Sequence, residues 1–167
     1  MEYLMTYGWA LLVIVIVIAI LISLNLFSAP QGCNFDHPGF VCGAPVISTN
    51  GSLYMQLTNG NPSNIKLVAV VCTTDKSPTA PTLVANPLAS TASGYFGDKL
   101  VVTQSTIDLT NVTPTSQPIC TKSGVLSTWT PGADFSGKIW VFYQNEEDGS
   151  NYPIRTATAN IVTKTVQ

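Results

Sequence analysis

Ile65-Lys66-Leu67-Val68-Ala69-Val70-Val71-Cys72-Thr73, IKLVAVVCT, is an almost unbroken apolar run dominated by β-branched side chains. Asn59-Gly60-Asn61-Pro62 lies just ahead of it, and a Ser/Thr/Pro/Ala-rich stretch begins just behind. Branched side chains lose rotamer freedom in a helix but pack well on a pleated surface, and the flanking turn residues hold the run to strand length. A strand is therefore predicted over Ile65–Thr73. Working outward, the same reasoning places strands at 45–49, 53–58, 99–104, 106–111, 138–144 and 154–166. Asn50-Gly51 is a two-residue hairpin signal between the first two of these, and Glu146-Glu147-Asp148-Gly149-Ser150-Asn151 turns the last pair. Residues 74–98 and 113–131 read as long loops of the kind that face a partner or solvent.

About seven short strands separated by turn chemistry predict an immunoglobulin-like sandwich over 45–167. Ahead of it stands a different kind of segment. Residues 11–22 read LLVIVIVIAILI, and no charge falls between Glu2 and Asp36. This predicts a helix over 1–28, closed by Pro30 and spanning about 42 Å at about 1.5 Å per residue. Its apolar side chains surround the whole circumference, so a lipid bilayer or other helices must enclose it. The expected class is α+β: a long N-terminal hydrophobic α-helix over 1–28, a linker with a short disulfide loop over 29–44, and an all-β, immunoglobulin-like sandwich head over 45–167.

Only 10% of the 167 residues are charged, against about 25% in an average globular chain. The formal net charge of -2 leaves no basic field to collect phosphates, which excludes nucleic acid as the expected partner. A cleaved secretory signal needs a basic first region, yet the first Lys or Arg is Lys66. A membrane span fits the length and hydropathy, but there are no positive flanks from which to read its orientation. The positive group expected to neutralise Glu2 is an amino terminus, its own or that of a neighbouring copy.

Glu2-Tyr3-Leu4-Met5-Thr6-Tyr7-Gly8-Trp9-Ala10-Leu11-Leu12, followed by the Val/Ile run, resembles the start of archaeal type IV pilins. The resemblance implies a leader removed by a separate prepilin peptidase and storage of the helix in the cytoplasmic membrane. It further implies assembly, by separate ATPase machinery, of many copies into an extracellular helical filament with the heads outside. The chain has no G-x-x-x-x-G-K-[ST] phosphate loop of its own. The filament core would comprise Glu2, Tyr3, Leu4, Tyr7, Gly8, Trp9, Leu12, Ile16 and Ile20, with Glu2 at the family's acidic position. Before assembly Tyr3, Tyr7 and Trp9 would form an interfacial aromatic belt. Gly8, which costs a helix about 1 kcal/mol relative to Ala, points to close backbone approach. The implied function is that of a structural subunit, a major pilin serving adhesion or surface attachment. The alternative is a single-span, membrane-anchored surface binding protein or minor pilin.

Cys33, Cys42, Cys72 and Cys120 all lie outside the apolar helix, which predicts two disulfides formed in an oxidising space. Of three possible pairings, Cys33 with Cys42 and Cys72 with Cys120 is preferred: the first closes a turn at Asp36-His37-Pro38-Gly39, the second ties a strand to a long loop. A zinc site is the rival, but the spacing holds no C-x-x-C knuckle. No cofactor, metal or enzymatic chemistry is expected. His37 is the one histidine and reads as an exposed turn residue, and Glu146, Glu147 and Asp148 lack the alternating ligand spacing of a calcium loop. Asn50-Gly51-Ser52 and Asn111-Val112-Thr113 are N-glycosylation sequons, while proline blocks Asn61-Pro62-Ser63. The abundant Ser and Thr fit either O-linked sugar or plain β-propensity.

Overall fold

The computed structural model describes residues 2–23, 31–75, 79–81, 93–109, 117–148 and 153–167. The chain divides into two compact units, Met1–Pro30 and Gln31–Gln167. The first holds α1 (Glu2–Ser23), whose side chains are described over residues 7–23. Among the described residues no helix is long and apolar enough to cross a membrane.

Among the described residues, every regular element of the second unit is a β-strand. Its strands are β1 (Gly32–Phe35), β2 (Phe40–Cys42), β3 (Val46–Ser48), β4 (Leu53–Tyr54), β5 (Gln56–Asn59), β6 (Ile65–Thr73), β7 (Ser93–Val101), β8 (Thr106–Asp108), β9 (Cys120–Lys122), β10 (Val125–Leu126), β11 (Asp134–Asn145) and β12 (Arg155–Val166). A nine-stranded sheet runs β10-β9-β6-β11-β12-β3-β4, with β7 also paired to β6 and β1 also paired to β12. A separate three-stranded sheet runs β2-β5-β8. One side of β6 is taken by β11; the other is shared by antiparallel β7 and parallel β9. Likewise β12 has β11 on one side and β1 then parallel β3 on the other. Long β11 lies between long β6 and β12, the outer side of each of these is shared by two partners, and the twisted sheet curls into a half-barrel.

Strict alternation explains β12: Ala157, Ala159, Ile161, Thr163 and Thr165 are buried, while Thr156, Asn160, Lys164 and Val166 face outward. Alternation breaks in β6. Ile65 and Leu67 point into the main core, but so do Val70 and Cys72, because Val68 is an extra residue between the pairs Leu67–Tyr143 and Ala69–Phe142. This β-bulge sends Val68 and Ala69 to the opposite face, where they join Trp140 and Phe142 in a second apolar cluster. The Lys138 ammonium lies 5.9 Å from the Trp140 ring centre. Inside the half-barrel, Ile47, Leu53, Leu57, Leu67, Phe135 and Ile139 are fully buried. Phe40 of β2 packs between Phe35 of β1 and Tyr143 of β11, at ring-centre distances of 5.5 and 4.9 Å.

These observations correct the expected α+β class. The described residues are mainly β, with twelve strands against one helix. In place of a long hydrophobic helix over 1–28 the described residues hold one helix, α1, and in place of an immunoglobulin-like sandwich they form a curved half-barrel with a three-stranded sheet beside it. Two sheets of similar size packed face to face would need comparable strands in each. Here the long strands all lie in one sheet, which covers its apolar face by curling. Residues 32–35 and 40–42, read as linker, form β1 and β2. The two-residue hairpin at Asn50-Gly51 becomes a three-residue one. Gly51 N–H donates to Ser48 O at 2.8 Å and Ser48 N–H to Ser52 O at 3.0 Å, with Gly51 at φ +86° supplying the left-handed residue.

Candidate functional site

The helix offers one surface. Val13, Ile14, Val15 and Ile16 are 51, 53, 64 and 49% exposed. Consecutive helical residues point about 100° apart, so these four sample the whole circumference, and none of it is covered within the helical unit. A helix inside a folded unit would bury one stripe and expose the rest. Tyr7 and Trp9 are exposed as well, and Leu12, Ile16 and Ile20 line up at four-residue spacing along one side. A Cβ added at Gly8 would meet no atom within 4 Å, so among the described residues nothing in the helical unit requires glycine there. Glu2, Tyr3 and Leu4 are helical in backbone, and their side chains lie outside the described residues.

The β unit is cross-linked at two levels. Cys33 of β1 is bonded to Cys42 of β2 with Cα atoms 6.0 Å apart, clipping the nine-stranded sheet to the three-stranded one. Cys72 and Cys120, directly paired on parallel β6 and β9, are bonded with Cα atoms 4.4 Å apart and are fully buried. This is the pairing preferred from the spacing. Two disulfides mark a chain that matures in an oxidising, extracellular or secretory environment.

A polar node holds the loops at one end of the half-barrel. The fully buried Asn59 donates through Nδ2 to Ser63 O and Val101 O, both at 3.1 Å. Its Oδ1 accepts from Asn61 N–H at 3.0 Å and from Asn61 Nδ2 at 2.9 Å. Asn61 Nδ2 also donates to Gly39 O at 2.9 Å, which ties in the β1–β2 turn. Sequence reading treats Asn59-Gly60-Asn61-Pro62 only as a turn. No local signal separates the buried Asn59 from an ordinary turn residue, because Asn is favoured in turns of either kind.

The remaining candidates disperse. Asp148 accepts from Arg155 at 2.9 Å, and Glu146 accepts from Asn64 Nδ2 at 2.7 Å, so two members of the acidic run are engaged in surface contacts. Among the described residues no three His, Cys, Asp or Glu side chains are grouped to hold a metal ion. A shallow groove of about 300 Å³ is lined by Leu100, Val102, Thr106 and Asp108 among others, at the ends of β7 and β8. Asn50 is exposed on the β3–β4 hairpin, and Asn111 lies outside the described residues. Compared with family models, curated proteins and solved structures, the chain matches none. Its surfaces therefore carry the functional argument.

Proposed function

We propose that this chain is a structural subunit of an extracellular filament of the archaeal type IV pilus kind, a major pilin that polymerises through α1 and serves surface attachment. The observation that supports this most strongly is the bare apolar circumference of the helix. Burying a Val, Ile or Leu side chain is worth about 1.5–3 kcal/mol, and these are half exposed, so each gains about 1 kcal/mol when covered. Summed over the helix, that gain rivals the stability of an ordinary domain, about 5–15 kcal/mol. Copies of the same helix supply a matching apolar surface on every side, which a single partner groove does not. The sequence of residues 2–12 and the disulfide-bonded, charge-poor β unit fit the same reading. The peptidase and the ATPase motor are separate proteins, and the helix is held at the cytoplasmic membrane before assembly.

The test substitutes Lys for Leu12, Ile16 or Ile20 in the full chain and images the product by negative-stain electron microscopy. A charge among packed helices costs several kcal/mol in every subunit. These variants keep a folded, disulfide-bonded β unit and form no filaments, whereas the parent chain does. Filaments from residues 31–167 alone would overturn the proposal and make strand exchange between β units the basis of polymerisation.

A further inference from the structure

We propose that Asn50 is an N-glycan acceptor, modified on Nδ2 before the β3–β4 hairpin closes. The inference stands on the hairpin and does not depend on filament assembly. Asn50 is exposed at the hairpin tip. Among the described residues, its side-chain hydrogen bonds all run through Oδ1, which accepts from Ser52 N–H at 3.0 Å and from the Ser48 hydroxyl. No hydrogen bond through Nδ2 is formed among the described residues, and the residue is exposed. Replacing one Nδ2 hydrogen with a sugar therefore keeps every contact by which Asn50 holds the turn.

The third residue of the sequon sets the timing. A transferase reads the Ser or Thr of Asn-x-Ser/Thr as well as the Asn. In the folded chain Ser52 is only 6% exposed, its carbonyl accepts from Ser48 N–H at 3.0 Å, and it forms an isolated bridge with Ile119. The acceptor atom is open but its recognition residue is covered. Modification must then precede closure, while the segment is still extended. The donor is a polyprenyl phosphate- or diphosphate-linked oligosaccharide. The Asn50 amide nitrogen bonds to the sugar C1, the C1–O bond to phosphate breaks, the lipid phosphate leaves with that electron pair, and the amide proton passes to a base of the transferase. In the native hairpin the glycan then stands off an exposed tip on a surface with few charges.

The full chain, carrying an added C-terminal reporter sequon, is expressed in a secretory host with an oligosaccharyltransferase and mapped by peptide mass spectrometry. With the reporter occupied, the peptide containing Asn50 is expected to carry an oligosaccharide. The increment is lost in Asn50→Gln and Ser52→Ala and kept in Ser52→Thr. Ser52→Ala preserves the hairpin because only its backbone bonds are used there. An occupied reporter beside a bare Asn50 overturns the proposal. For timing, purified folded protein and its reduced, unfolded counterpart are each offered transferase and lipid-linked donor. Modification of the unfolded chain alone is expected; equal modification of the folded protein overturns the requirement for an open hairpin.

Discussion

Replacing Asn59 with Ala removes four side-chain hydrogen bonds at once: two donated to Ser63 O and Val101 O, and two accepted from Asn61. The bond to Val101 O is buried, so that carbonyl loses its partner with no easy access to water, at about 1–3 kcal/mol. The other three are part-buried, and water entering the space left by the amide restores some of their value. About 0.5–1 kcal/mol is lost for each. The sum is about 4 kcal/mol, a large part of a domain stability of about 5–15 kcal/mol. In urea, with a slope of about 2 kcal/mol per molar, the unfolding midpoint of the β unit falls by about 2 M with the slope unchanged. Asn59→Asp is a nearly isosteric control. It leaves no hole but turns a carboxylate oxygen toward the Ser63 and Val101 carbonyls, so it is expected to cost at least as much. A midpoint shift below about 0.5 M for both variants would refute the reasoning, because about three-quarters or more of the assigned energy would then be missing.

Other substitutions probe different parts of the fold. Gly137→Ala places a Cβ 2.4 Å from Thr73 O, a backbone atom of the paired strand, and 2.8 Å from Phe135 Cε1. This overpacking should cost about 1–3 kcal/mol, read as a lower melting temperature. Removing Cys72–Cys120 opens a separation of 48 residues and removing Cys33–Cys42 one of 9. Loop entropy gives about 4 and about 2.6 kcal/mol, so paired Cys→Ser variants should rank in that order in a denaturant titration. Gly51→Ala forces a side chain onto φ +86° and sets its Cβ 3.1 Å from Cys120 O. It should lower stability by about 1 kcal/mol or more in the same titration.

How much of this was legible depended on whether a segment's own side chains fixed its state. Ile65–Thr73 was placed to the residue because its β-branched content and flanking turns agree. Its bulge at Val68 was not, since an unbroken apolar run hides a one-residue change of phase. Strand β11 begins at Asp134 rather than 138, because Ser136 and Gly137 look like turn residues but are held by β12 and, at the core, by room that only glycine fits. Strands β1, β2, β9 and β10 are two to four residues long and exist through their partners and the two disulfides, which no local pattern announces. The sandwich expectation failed for a related reason: strand count is local, but the sharing of β6 and β12 among several partners is a tertiary property. The cysteine pairing was readable from spacing, as were the apolar run of α1 and the exposed Asn50 sequon. The buried role of Asn59 was not, because the same Asn-Gly dipeptide marks an open turn at residue 50 and a packed node at residue 59.

The proposal that copies of α1 assemble a filament is tested most directly by electron cryomicroscopy of filaments formed by the full chain. The expected reconstruction has rod-like density for the helices bundled around the filament axis and the β units outside, with Val13, Ile14, Val15 and Ile16 all in contact with neighbouring helices. A filament whose subunits are joined by shared β-strands, with the helices at its periphery or free of one another, would contradict the account.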